Sequence, residues 1–321
     1  MYSCRGRLFD DLTVKRHDPS NIPPNIDKMS RKNVPIKVFL IKLLLNALAR
    51  LPLRAAHAIG YLFGLFLWHF STRSRSVALT NIALCFSGLD KPSQIRLAKA
   101  SLLETGKNIT ELGALWLWPA EKILQRVQQV SGGEYIEQAN QQQQGIIFVA
   151  PHLGCWELIG LYYPMLCLYR PPKMAQLDPV IRAARTRNGT RLAATDARGV
   201  RAILQALRKG EATGILPDQD PGRGNGLFAP FFGVQANTMT LVSKLAIKSK
   251  AKVIFTYAER LPKGQGYHLH FIPASDEIYG ENSVIYMNQQ VESLIRQVPE
   301  QYLWQYKRFK TRPEGEADLY N

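Results

Sequence analysis

From Gly145 onward the chain alternates short apolar runs with longer amphipathic ones, and this alternation constrains the fold more than any other feature. The runs "IIFVA" (146–150), "RLAAT" (191–195), "ATGIL" (212–216), "KVIFTYA" (252–258) and "YHLHFIP" (267–273) read as strands. The stretches from Glu157 to Leu166, Val180 to Arg187, Gly199 to Lys209, Met239 to Lys248 and Val284 to Gln297 read as helices. Strands alternating with helices of this length predict an α/β layered fold with a largely parallel central sheet. Functional loops of such sheets gather at the carboxyl ends of strands, and His152 lies two residues past the end of the first of these runs.

Upstream the texture differs. Residues 1–34 carry Pro19, Pro23 and Pro24 among mixed charges and read as a flexible tail. Residues 35–75 form an apolar, helical segment. Lys42, Asn46 and Arg50 recur at four-residue spacing and fall on one helix face, opposite Phe39, Leu40, Leu43 and Leu44. After Pro52 comes a run from Ala55 to Thr72 without a full charge, followed by Arg73 and Arg75. A span needs about 20 predominantly apolar residues, so this run is marginal as a crossing. A helix lying in the membrane interface suits the basic flanks better, and a buried helical hairpin is the third reading. Residues 76–321 then form the α/β domain, which begins with helical periodicity over 76–128. The Gln run "EQANQQQQ" (137–144) reads as a surface helix end and loop.

Forty-one Lys and Arg against 25 Asp and Glu leave a net charge of +16. Such a surplus implies an anionic partner: nucleic acid, an acidic membrane surface, or an acidic substrate or carrier. Cys4, Cys85, Cys155 and Cys167 show no metal-ligand spacing, and the first 34 residues lack the apolar core of a cleavable signal peptide. A reduced, cytoplasmic setting is the expectation.

Five places could carry chemistry. His152 and Glu157 frame a strand-to-helix junction, within reach of a hydrogen bond in which the carboxylate would orient the imidazole as a general base. Against this stands the plainer role of Glu157 as an acid favoured at a helix N-terminus. Cys155 between them makes a thiol enzyme conceivable. The run "PVIRAARTRNGTRLAATDARGVR" holds arginines 182, 185, 187, 191, 198 and 201, either a solvated face or a set of forks for phosphate or carboxylate. In "GILPDQDPGRGNG", Asp218 and Asp220 follow a strand and point toward the same sheet edge as His152. No His or Cys completes a metal set with them, and the glycine-rich loop lacks the Lys-Ser/Thr of a nucleotide-binding loop. His268 and His270 share one side of a strand and read as packed or solvent-facing. The segment "YLWQYKRFKTRPEG" interleaves aromatics with cations, as single-stranded nucleic-acid binders do, but no nucleic-acid module accompanies it, and the mix also suits a membrane–water boundary.

The H-x4-E of His152 and Glu157 resembles the H-x4-D/E signature of glycerolipid-type acyltransferases. The C-terminal "PEQYLWQYKRFKTRPEG", with "NIALCF" (81–86), "LWLWP" (115–119), "LRKGEATGILPDQD" (207–220) and "FFG" (231–233), resembles the late acyltransferases of lipid A biosynthesis in Gram-negative bacteria. The resemblance implies an acyltransferase-type α/β fold behind an N-terminal membrane-associated helical region, located at the cytoplasmic face of the inner membrane. It implies transfer of a fatty acyl group from an acyl carrier protein thioester to a hydroxyl on an acyl chain of a lipid A precursor. His152 would be the base and Glu157 its orienting carboxylate, while Arg185, Arg187 and Asp218 would bind substrate or stabilise the oxyanion. No cofactor, metal or nucleic acid is implied.

Besides a Cys155 thiol hydrolase, two alternatives stay open. A lysophosphatidate-type acyltransferase would share the dyad without needing the C-terminal segment, and a non-catalytic basic protein would bind membrane or nucleic acid through its arginines.

Overall fold

The computed structural model describes residues 36–320; the tail expected over 1–34 lies outside them. The first elements are helices α1 (Ile36–Ala49), α2 (Leu53–Phe70), α3 (Thr72–Cys85), α4 (Lys91–Leu117) and α5 (Ala120–Leu124). Pro52 separates α1 from α2, because its ring cannot continue a helix. Asp90 caps α4 by accepting from the Ser93 N–H at 3.2 Å, and Pro119 follows its end. Helices α2 and α4 meet through small residues: a Cβ on Gly106 would sit 2.0 Å from the Gly60 carbonyl oxygen. Only glycine permits that approach.

Strand β1 (Val127–Ser131), α6 (Gly133–Gln141), β2 (Ile146–Val149), α7 (Ile159–Tyr162) and β3 (Leu166–Tyr169) come next. They are followed by α8 (Asp178–Thr186), β4 (Arg191–Ala194), α9 (Ala197–Arg208) and β5 (Ala212–Ile215). The chain then forms β6 (Gly226–Phe231), β7 (Val234–Met239), α10 (Leu241–Ser249), β8 (Lys252–Arg260), β9 (Tyr267–Pro273) and α11 (Ser283–Gln297).

The central sheet has the order β1-β9-β8-β2-β5, and every neighbouring pair in it except β8–β9 is parallel. Its interior strand β2, "IIFV", is apolar at every position because both faces are covered, one by the core around Ile147 and Val149 and the other by the core around Ile146 and Phe148. The largely parallel α/β architecture read from the alternation is therefore present. Strands β3 and β4 form a small parallel sheet, and β6 and β7 an antiparallel hairpin. Four strands depart from the expectations. β3 begins where the Glu157–Leu166 run reads as helix, β1 lies at the end of the stretch read as helical, and the hairpin follows the glycine-rich loop.

A buried ion network ties the helical layer to this sheet. The Arg260 guanidinium donates to both carboxylate oxygens of Glu111, at 3.0 and 2.7 Å, and to Glu104 at 3.0 Å. The Tyr267 hydroxyl and the His57 Nε2 also lie 3.0 Å from Glu111. Burial opposes ionisation of Glu111, yet Arg260 and His57 beside it bring its carboxyl down to about 2.

No helix among the described residues is long and apolar enough to cross a membrane. Residues 36–70 of the apolar segment are instead two helices whose outer faces stay uncovered. Phe39, Leu40, Leu43 and Leu44 of α1 and Leu62, Phe66 and Phe70 of α2 are each more than half exposed.

The C-terminal aromatic–basic segment sinks part of itself into the core, while Tyr306, Lys307, Lys310 and Arg312 stay nearer the surface. Trp304, Arg308 and Phe309 are buried, and Arg308 donates to the Asn237 carbonyl at 2.7 Å and the Thr238 hydroxyl at 2.6 Å. Residues sunk this way cannot themselves stack on bases or anchor at a lipid boundary.

Candidate active site

Strands β2 and β5 are parallel neighbours with Val149 opposite Ile215. His152 and Asp218 each stand three residues beyond those partners, so the register delivers an imidazole and a carboxylate to the same point above the sheet edge. Asp218 Oδ1 accepts from His152 Nδ1 at 2.9 Å, and its Oδ2 accepts from the His152 backbone N–H, also at 2.9 Å. Burial opposes ionisation of Asp218, but the adjoining imidazole and these two bonds hold it below the usual carboxylate range. An ionised carboxylate only accepts, so Nδ1 carries a proton, and Nε2 is the ring nitrogen turned away from the carboxylate. The Gln219 side-chain amide meets Nε2 at 3.2 Å.

The backbone of His152 is equally fixed. Its carbonyl accepts from Leu303 N–H at 3.1 Å, and Gly154 N–H donates to the Gln301 carbonyl at 3.0 Å, so the C-terminal segment clamps the loop from above. Gly154 adopts φ +60°, and a Cβ there would lie 2.0 Å from the Ala258 carbonyl oxygen. This left-handed turn sends the chain away from His152 into the 3-10 turn Trp156–Leu158.

That turn separates the two residues expected to pair. No hydrogen bond joins His152 to Glu157. The Glu157 carboxylate is instead gripped by Arg185, with Nε 3.1 Å from Oε2 and the terminal nitrogen on Oε1. Burial disfavours the Arg185 charge, but Glu157 outweighs it and raises the guanidinium above its ordinary range. The carboxylate on the imidazole is Asp218.

His152, Glu157 and Arg185 all line one cavity of roughly 190 Å3. Its remaining wall is mainly apolar, with Phe148, Ile159, Leu161, Met165, Leu168 and Leu192 among the residues that face it. A polar mouth on a greasy pocket can take a long apolar substituent and present one polar group of it to a base.

The comparisons with known proteins agree on one family. Residues 24–311 match the model of the bacterial lipid A biosynthesis acyltransferases. The chain belongs to that family. It is 31% identical over 281 residues to the lipid A biosynthesis lauroyltransferase of Escherichia coli K12, covering 84% of this chain and 90% of the relative. The palmitoleoyltransferase of the same organism matches to the same extent, and its myristoyltransferase is 28% identical over 269 residues, 80% of this chain and 81% of the relative. The protein is thus an acyltransferase enzyme, and a purely binding role for it is set aside.

Within this acyltransferase the other expected site residues fall differently. Arg187, only two residues after Arg185, leaves the helix end in another direction. It ties down the Ala184 and Leu115 carbonyls without lining the cavity. Arg182, Arg191 and Arg198 pair with Asp178, Glu211 and Asp196, so the arginine run is largely neutralised at home. Asp220 is a structural acid that accepts from Gly222 N–H, the Asn237 amide and Thr311 N–H, at 2.7 to 3.0 Å. The Cys155 thiol is buried behind the loop, pushed well above its ordinary range by that burial, and does not line the cavity. A thiol nucleophile there has no route to substrate. Reading the sequence alone missed the His152–Asp218 pairing; the signal it offered was that each residue stands two positions past an apolar strand run, 146–150 and 212–216.

Proposed function

We propose that this acyltransferase moves a fatty acyl group from an acyl carrier protein thioester to a hydroxyl on an acyl chain of a lipid A precursor. The observation that carries the reading is a His152–Asp218 pair whose imidazole lines a largely apolar cavity, with Nε2 turned away from the carboxylate. The acceptor hydroxyl displaces the Gln219 amide and gives its proton to His152 Nε2 as its oxygen attacks the thioester carbonyl. Asp218 stabilises the imidazolium, as a buried carboxylate on Nδ1 does in other acyl-transfer sites. The tetrahedral oxyanion lies against Arg185, which Glu157 holds at the cavity wall, and collapse expels the carrier's thiolate, which recovers the proton from His152. The donor's hydrocarbon chain occupies the cavity.

The same reading places the enzyme on the inner membrane, at its cytoplasmic face. The exposed apolar faces of α1 and α2 would sink into the interface, with Lys37, Lys42, Arg50 and Arg54 at anionic head groups. An acceptor embedded in the bilayer would then need no aqueous transit.

The test is mass spectrometry of reactions containing the full chain, a tetra-acylated, diphosphorylated lipid A precursor with or without its acidic sugars, and carrier thioesters of several lengths. One added acyl mass, lost in His152→Ala, supports the proposal and names the chain. Acylation of a lysophospholipid instead, with the precursor unchanged, refutes the acceptor. Transfer from acyl coenzyme A but from no carrier thioester refutes the donor.

A further inference from the structure

A second cluster lies on the sheet itself, apart from the residues assigned above. In the antiparallel β8–β9 pair, Glu259 stands opposite His268 and Tyr257 opposite His270. Residues directly opposite, and those two apart along a strand, share a face. Glu259, His268 and His270 therefore project together, each partly buried. Glu259 Oε2 lies 3.0 Å from His270 Nε2 and 3.8 Å from His268 Nδ1, and the three donor atoms all fall within 4.8 Å of one another.

We propose that Glu259, His268 and His270 bind a divalent cation of the zinc class. Two imidazole nitrogens and one carboxylate oxygen are a donor set that suits such ions and not magnesium, which takes oxygen. Bonds of about 2.0–2.2 Å to a tetrahedral ion put donors roughly 3.3–3.5 Å apart, a spacing bracketed by the 3.0 and 3.8 Å contacts here. An ion between them needs side-chain shifts of a few tenths of an ångström at most for those contacts.

The surroundings match what a ligating histidine requires. His268 uses its second nitrogen, Nε2, on the Ser131 hydroxyl at 2.8 Å, which leaves Nδ1 aimed at Glu259. Such an outer partner fixes tautomer and ring plane. The His270 ring is held by parallel stacking on Tyr257, with centroids 4.3 Å apart. Without a cation, two imidazoles 3.8 Å apart compete for one carboxylate oxygen; with one, all three groups are satisfied. Ser131 lies on β1, so the ion would clip three adjacent strands, β1, β9 and β8, at the edge of the sheet.

The experiment titrates zinc into chelator-stripped, detergent-solubilised full chain against a chromophoric chelator, with far-UV circular dichroism on every variant. The expected result is one tight equivalent, weakened at least a hundredfold by His268→Gln or Glu259→Gln. Ser131→Ala, which leaves all ligands in place, should weaken it about tenfold or more. Cobalt substituted into the wild type should show the absorption of a four-coordinate ion. Absence of a tight equivalent overturns the proposal. So does an equivalent whose affinity is unchanged in folded Glu259→Gln and Ser131→Ala.

Discussion

Replacing Asp218 by Asn tests the central geometry with almost no change of shape. The amide keeps the volume but loses the charge, and it can present N–H to Nδ1, which would force the imidazole proton onto Nε2. The size of the loss follows from the contact. A carboxylate charge 3–4 Å from a forming imidazolium, at an effective dielectric constant near 20, stabilises it by about 4–6 kcal/mol, given the 2.9 Å bond between the groups. At 1.36 kcal/mol per decade that is a fall of roughly 10^3–10^4 in kcat, with KM for the thioester little altered. Glu157→Gln acts elsewhere, by loosening Arg185. It should cost at least tenfold, and the Glu157→Gln/Arg185→Ala double variant should be no worse than its poorer single, because both remove one device. The assay is single-turnover acyl transfer followed by mass spectrometry, on variants checked for retained thermal stability. If Asp218→Asn stays within tenfold of wild type while Glu157→Gln falls a thousandfold, the imidazole is oriented by Glu157 during turnover and the reasoning fails.

The other expectations concern stability, membrane and pocket. Glu111, brought down to about 2 from an ordinary 4.5, contributes about 3 kcal/mol that is fully present above pH ~5 and lost as pH falls through about 2. Urea unfolding between pH 7 and 3 should lose stability accordingly, and Glu111→Gln should flatten that slope while lowering stability at pH 7 by about 3–5 kcal/mol, since it strands Arg260. Phe39→Glu and Phe66→Glu remove exposed apolar groups from α1 and α2; each should weaken flotation with anionic vesicles by about tenfold or more, and unchanged flotation would refute the interfacial docking. Gly160 lines the cavity and a Cβ there meets nothing within 4 Å, so Gly160→Leu should fold normally and shift the preferred acyl group to a shorter chain in a competition of mixed thioesters.

The elements legible in the sequence are those whose pattern is local. The runs at 146–150, 212–216, 252–258 and 267–273 are β-rich and bounded by polar or turn residues, and all four are central-sheet strands. The run from Glu157 to Leu166 is apolar nearly throughout and so reads as one helix, but Pro164 within it marks the break: the helix ends at Tyr162 and the chain resumes as β3 at Leu166. In "GLFAPFFGVQANTM" the proline and glycine argue for loop, yet Pro230 sits in a two-stranded hairpin, where an unused N–H side costs nothing. The site divides the same way. His152 was visible from its place after a strand, but its partner depends on which strand lies beside β2, a fact of tertiary register. Arg185 and Arg187 look equivalent in a run of arginines, and only the helix end they leave distinguishes the one facing Glu157 from the one facing Leu115. Glu111 gave no sign of burial at all, being one of two acids on a long helix.

The three-residue stems carrying His152 and Asp218 also say something about how this enzyme can change over time. Because Val149 and Ile215 are level in the sheet, the two loops are matched in length, and their tips meet only while they stay so. Substitutions around them leave the meeting point intact; an inserted or deleted residue in either stem would carry one tip past the other. The tolerance of this region is therefore set by counting rather than by chemistry. Diversity among such enzymes is free to accumulate in the cavity wall and the outer helices, while the span from strand end to imidazole, and its twin from strand end to carboxylate, must be inherited as a pair.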